Sequence, residues 1–95
     1  MADIRWALMA QADAERIARY HQAIDPELAA EILQRIVGAT RILGDLPQAG
    51  PATEHGARRK WRVARTSYIL FYRIERDHVR ILRVLHGAQE RSGTL

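Results

Sequence analysis

Cysteine is absent from this 95-residue chain, which removes disulfides, thiolate zinc sites and thiol nucleophiles together and fits a reducing compartment. Lysine is scarce as well: Lys60 is the single lysine among fifteen basic residues. That skew arises either from selection for the planar, bidentate guanidinium or from a coding bias toward arginine. The four histidines, His21, His55, His78 and His86, are too scattered for metal-ligand spacing, so no metal and no cofactor is expected. No apolar run approaches the roughly 18 residues of a membrane span, and no basic segment at the N-terminus leads into a hydrophobic stretch. A cytoplasmic protein without a membrane partner is therefore expected. Prolines number three and glycines six, so the places where they cluster mark boundaries.

Charge is unevenly shared. Residues 58–83 hold nine basic side chains against Glu75 and Asp77, a local net of +7, whereas residues 1–57 carry a net of −3. An acidic half joined to a basic half points to a charged partner. The length suits one domain over residues 1–95, with room for a single core and none for a deep enclosed pocket.

The hydrophobic period divides the chain in two. Ile4, Arg5 and Trp6 form a short strand candidate. Ala10, Ala14, Ile17, His21 and Ile24 then recur at intervals of three and four, which predicts a helix from near Gln11 to Ala23. Asp25-Pro26-Glu27 combines an N-cap, a proline where its missing N–H costs nothing, and a carboxylate at the positive end of the dipole. A second helix starts there and runs through Leu28, Ile32, Ile36, Ala39, Leu43 and Leu46 to Pro47. Ala29, Leu33 and Ile42 widen its apolar stripe. The short connection between the helices implies an antiparallel hairpin. Residues 47–57 contain Gly50, Pro51 and Gly56 and read as a loop.

Beyond the loop the period becomes two. Trp61 and Val63, then Tyr68, Leu70, Tyr72 and Ile74, then Val79 and Ile81 alternate with their neighbours, giving three strands in succession. Short connections make them antiparallel. Tyr68 to Ile74 is apolar on both faces, as a central strand would be. Residues 91–95 read as a loose tail.

A strand, a helical hairpin and a three-stranded meander resemble the ParE/RelE toxin superfamily of type II toxin–antitoxin systems. The resemblance is carried by Asp25-Pro26, by Leu43 to Pro47, by Trp61-Arg62-Val63, by "YILFYR" from Tyr68 and by "VRILRVLHG" from Val79. It implies an α+β fold of order β-α-α-β-β-β, with the hairpin packed on a small antiparallel sheet. The chain is more similar to the ParE branch, whose members poison DNA gyrase without catalysis, than to the RelE branch, whose members cut messenger RNA on the ribosome. Several RelE-type nucleases follow the acid/base residue of the last strand with an aromatic, whereas His86 is followed by Gly87 and Ala88. The resemblance also implies a cognate antitoxin, disordered alone and ordered on the toxin; operator DNA would be reached only through that antitoxin.

Cutting RNA through its own 2′-hydroxyl needs a base, an acid and cations around the phosphate. His86, Arg62, Arg65 and Arg83 are the residues that would supply them, His86 having the only side chain of the four that titrates near neutrality. With no tyrosine, second histidine or carboxylate expected beside it, His86 reads as a recognition or structural residue and no catalytic residue is favoured. Arg58, Arg59, Lys60, Arg62, Arg65, Arg73, Arg83 and His86, with Leu28, Leu33 and Ile42 on the hairpin, are the expected surface for gyrase or antitoxin. The charges of the first strand after the loop also discourage edge-to-edge aggregation. Trp61, Tyr68, Phe71 and Tyr72 lie at core spacing and are expected to pack, not to stack on bases. The alternatives to a gyrase poison are a ribosome-dependent endoribonuclease acting on messenger RNA and an inactive toxin-like binding module.

Overall fold

Asp25 sets the register of the hairpin. Its backbone is extended, and its carboxylate accepts the N–H groups of Glu27 at 3.1 Å and Leu28 at 3.3 Å, so Pro26 opens the longer helix as expected. The computed structural model describes residues 2–91; of the expected tail, residues 92–95 lie outside them. The elements are β1 (Asp3–Trp6), α1 (Leu8–Gln22), α2 (Pro26–Asp45), β2 (Arg58–Arg62), β3 (Tyr68–Ile74), β4 (His78–His86) and a short α3 (Gly87–Arg91). Helix α1 begins three residues before the expected start, held to the end of β1 by the Gln11 side-chain amide, which donates to the Trp6 carbonyl at 3.1 Å. The short α3 was not anticipated, because five residues are too few to show a helical period.

The strands lie in the order β1-β4-β3-β2. Strands β2, β3 and β4 form the expected antiparallel meander. β1 departs from the expectation of a wholly antiparallel sheet: it pairs with β4 in parallel, Asp3 to Trp6 against His78 to Ile81. After β1 the chain uses both helices to cross one face and re-enters at the opposite edge. The meander then walks back until β4 arrives beside β1 running the same way, as a crossover connection requires.

Alternation along the central β3 assigns the two faces. Leu70 and Tyr72 join Val63, Val79, Ile81 and Val84 against Ile17, Ile32, Ile36 and Leu43 of the hairpin. Ile69, Phe71 and Leu85 form a second buried cluster on the other face. A register shift at Phe71/Tyr72 leaves Leu82 as the extra residue of β4 and brings Arg83 opposite Phe71, the usual effect of a bulge. Ile24 and Leu46, expected on the apolar stripes, are exposed because each falls just past the end of its helix.

Tyr72 ties the long loop to the core. Its hydroxyl donates to the Pro47 carbonyl at 2.7 Å and accepts the Gly50 N–H at 2.9 Å. A Cβ on Gly50 would stand 2.6 Å from that hydroxyl, so only glycine fits. The loop continues along the outer edge of β2, where Lys60 N–H donates to Pro51 O and Thr53 N–H to Arg58 O, masking groups that would otherwise recruit another strand.

Candidate binding groove and basic sheet face

β4 continues five residues past Ile81, where its pairing with β1 stops. The backbone along that edge needs other partners, and α1 supplies one. Asp13, only 1% exposed, occupies the apolar stripe between Ala10 and Ile17. Its carboxylate accepts the Val84 N–H at 2.9 Å and two guanidinium bonds from Arg83 at 2.8 and 3.0 Å. Arg16 adds a longer bond at 3.3 Å. Burial pushes the Asp13 carboxyl upward, but the Arg83 and Val84 hydrogen bonds, with the charge of Arg83 and the Arg16 hydrogen bond, outweigh it and hold it below the ordinary carboxylate value. The same bonds raise Arg83 above its usual value, against a smaller opposing effect of burial. Arg83, expected on the surface offered to a partner, is therefore committed within the molecule.

Next to this bridge lies an open groove of about 700 Å³ between α1, the first half of α2, the β2–β3 turn and the end of β4. A file of four rings runs through it. Tyr20 meets His21 edge-on with centroids 5.0 Å apart, His21 meets Tyr68 at 5.9 Å, and Tyr68 meets His86 at 5.6 Å. Tyr68 Oη and His21 Nε2 are 2.8 Å apart. Burial, reinforced by Tyr20, raises the Tyr68 hydroxyl, and the His21 tautomer sets which of the two groups donates. His86 Nδ1 accepts the Ala88 N–H at 3.1 Å, which leaves Nε2 to carry the proton of the neutral ring.

The expectation that no tyrosine or second histidine accompanies His86 is thus corrected. Tyr68 faces His86 across the β3–β4 register, and α1 brings His21 onto Tyr68. Neither neighbour is visible without knowing which strand residues are opposite. The RNA-cleaving set is nevertheless not assembled: Arg65 and His86 line the groove, Arg83 is turned to Asp13, and Arg62 lies with Lys60 and Ile69 on the other side of the sheet. Of the three hairpin positions, Leu28 lines the groove, whereas Leu33 belongs to a separate shallow patch with Gln34, Val37 and Arg41, and Ile42 is exposed elsewhere on α2.

Arg59 is also structural, its guanidinium donating to the Gly50 carbonyl at 2.7 Å. Arg73 pairs with Glu75. Among the described residues no carboxylate pairs with Arg58, Arg62, Arg65, Arg76 or Arg80, so the basic half retains free cationic surface. The groove residues not anticipated include Tyr20, His21, Arg16 and Arg35, the last paired with Glu31 at 2.6 Å. Asp13 did carry a signal, as an acidic side chain three residues after Ala10 and four before Ile17 on an apolar stripe.

A family model described as the ParE toxin of type II toxin–antitoxin system, parDE, matches residues 4–91. The "Putative toxin Y4kP" of Sinorhizobium fredii (strain NBRC 101917 / NGR234) is 37% identical over 87 residues, covering 92% of this chain and 90% of that protein. Among solved structures, the chromosomal ParDE toxin–antitoxin system from P. aeruginosa superposes with a TM-score of 0.81 at 25% identity, over 90% of this chain and 96% of the other. The E. coli DinJ–YafQ toxin–antitoxin complex matches with a TM-score of 0.63 at 16% identity, over 92% and 93% of the two chains. The RelBE2 complex from Mycobacterium tuberculosis gives 0.59 at 24%, over 90% and 96%; these last two show a shared fold. Matched along nearly its whole length by the family model and by a relative above one-third identity, the chain belongs to the ParE toxin family of type II toxin–antitoxin systems.

Proposed function

We propose that this toxin acts by stoichiometric binding to DNA gyrase, and that a cognate antitoxin silences it by laying a segment into the groove beside Tyr68. The observation that carries the proposal is the composition of the groove in a ParE-family chain. Ile17, Leu28 and Ile32 give it apolar walls, Tyr20 stands exposed at its lip, and Arg35 and Arg65 border it. An amphipathic segment with apolar anchors and flanking carboxylates complements that lining. Such a segment is disordered alone and orders on docking. Arg65 has a left-handed backbone, φ 61°, a conformation costly for a side chain of its size and of the kind retained where a site requires it.

The test is direct. Purified protein is added to a gyrase supercoiling assay and, separately, to translating ribosomes. Loss of supercoiling with intact messenger RNA, relieved by the product of the neighbouring small gene, is the expected result. Intact supercoiling at stoichiometric toxin would overturn it. Expression without the antitoxin is expected to arrest growth or to yield insoluble protein.

A second reading, metal-independent cleavage of messenger RNA on the ribosome, is favoured by one observation: His86 meets Tyr68 edge-on, and the Tyr68 hydroxyl bonds His21. Two imidazoles and a phenol in one groove are residue types that general acid–base catalysis draws on. Cleavage abolished by His86→Ala would establish this activity in place of gyrase binding.

A further inference from the structure

We propose that the sheet face turned away from the helices is a docking strip for a nucleic-acid phosphodiester backbone, built on Arg5, Arg80, Arg73 and Arg58. The proposal is independent of the groove and of either reading of it. The strand register places these residues side by side: Arg5 pairs with Arg80, Arg80 with Arg73, and Arg73 with Arg58. Each lies between residues that face the hairpin, Arg5 between Ile4 and Trp6, Arg80 between Val79 and Ile81, so alternation sends all four side chains to the opposite face. One arginine from every strand thus forms a straight row across the sheet. At about 4.8 Å per strand the row spans about 14 Å.

Like charges directly opposite one another weaken a sheet, and this row contains three such pairs in succession. Carboxylates relieve it only at particular points. Glu75 pairs with Arg73, and Asp77 stands 3.9 Å from Arg5, with both of those side chains largely in water. Among the described residues none pairs with Arg80 or Arg58. A row of like charges that costs stability and is left partly unpaired suits a partner that arrives with closely spaced anions.

The chemistry of the face favours nucleic acid over an acidic polypeptide. Its apolar side chains Ile69, Phe71 and Leu85 are only 2–3% exposed, so the strip offers charge with little apolar anchor. Protein interfaces depend on an apolar core, whereas nucleic-acid interfaces are more polar and far more positive. Guanidinium groups also form bidentate bonds to phosphate, which a row of lysines would not. Contacts of this kind fix position without reading sequence. The apolar lining that suits a peptide is found in the groove, on the other side of the sheet.

The experiment measures binding of the intact chain to a labelled mixed-sequence DNA duplex and to a labelled single-stranded RNA, by fluorescence anisotropy across a salt series. With four phosphate contacts, affinity for the duplex should fall about 150-fold between about 50 and 200 mM salt, and about 12-fold for the double variant Arg58→Gln/Arg80→Gln; for the single strand the falls should be about 50-fold and about 7-fold. Arg19→Gln and Arg41→Gln, exposed on the helices, remove the same charge elsewhere and should leave binding and its salt slope unchanged. Ladder-dependent binding of either probe supports the strip, and the two arms identify whether duplex or single strand is the better ligand. The double variant should melt no lower than the parent, since it relieves like-charge opposition. If it does not fold, Arg58→Gln alone carries the test with a slope change of about 1. Absence of binding at low salt, an equal loss in the Arg19→Gln and Arg41→Gln controls, or ladder-dependent binding of polyglutamate without nucleic-acid binding would each overturn the inference.

Discussion

Replacing Asp13 by alanine removes the contact that fastens α1 to the free edge of β4. Three hydrogen bonds from β4 disappear, two from Arg83 and one from the Val84 N–H. The cost is unequal among them. The Arg83 side chain is 24% exposed and can turn to water, so its loss resembles that of a partly hydrated charged bond, about 1–2 kcal/mol. The Val84 N–H is buried and would be left unpaired, adding about 1–2 kcal/mol. Together these give about 3 kcal/mol, a large share of the roughly 5–14 kcal/mol expected for a domain of this size. The melting temperature should fall by about 12–24 °C.

Asp13→Asn keeps an acceptor for Val84 and should lose about half as much. In a double-mutant cycle with Arg83→Met, the pair should show a coupling of at least about 1 kcal/mol. The pH dependence has a defined sign. The folded carboxyl lies below its ordinary value, so its stabilisation is complete above the unfolded value of about 3.9 and is lost as pH falls through the lower folded value. The gap between parent and Asp13→Ala should therefore narrow in acid. Thermal and urea unfolding across pH measure all of this. A loss under about 1 kcal/mol at neutral pH, or a gap constant into strong acid, would refute the account of Asp13 as the fastener.

Three further outcomes follow from other contacts. Tyr72→Phe strands the Gly50 N–H and removes the bond to Pro47, and should cost about 1–3 kcal/mol in urea unfolding while leaving Arg58 to Arg62 paired with β3 by amide exchange. Gly50→Ala should destabilise by at least about 1–3 kcal/mol, since the added methyl meets the Tyr72 hydroxyl and the Lys60 carbonyl. Arg65→Gly relieves a left-handed arginine and should raise stability by about 0.5 kcal/mol, the strain relief being partly offset by the greater freedom of unfolded glycine. The same change should weaken antitoxin binding in calorimetry, separating what the fold prefers from what the groove needs.

Local patterns were legible wherever one segment contained its own reason. Asp25 and Pro26 define the start of α2 because cap and proline act within four residues. The period of two in Tyr68 to Ile74 identifies a strand covered on both faces, and β3 is indeed internal. Asp13 was half legible, an acid on an apolar stripe whose partner lies 70 residues away. The ring file could not be read in advance, because Tyr20, His21, Tyr68 and His86 come from three elements and meet only once the hairpin is laid on the sheet.

Sequence by itself determined the elements other than α3, the family resemblance and the concentration of cations after residue 57, all of which depend on short-range spacing and composition. Tertiary structure decided which of those cations are spoken for. Arg59 and Arg83 are held by the loop and by Asp13, while Arg5, Arg80, Arg73 and Arg58 align in one row. The physical reason is that alternation assigns a side chain to a face only relative to its own strand. Which strand lies beside it, with what offset, is set by long-range pairing and by the bulge at Leu82.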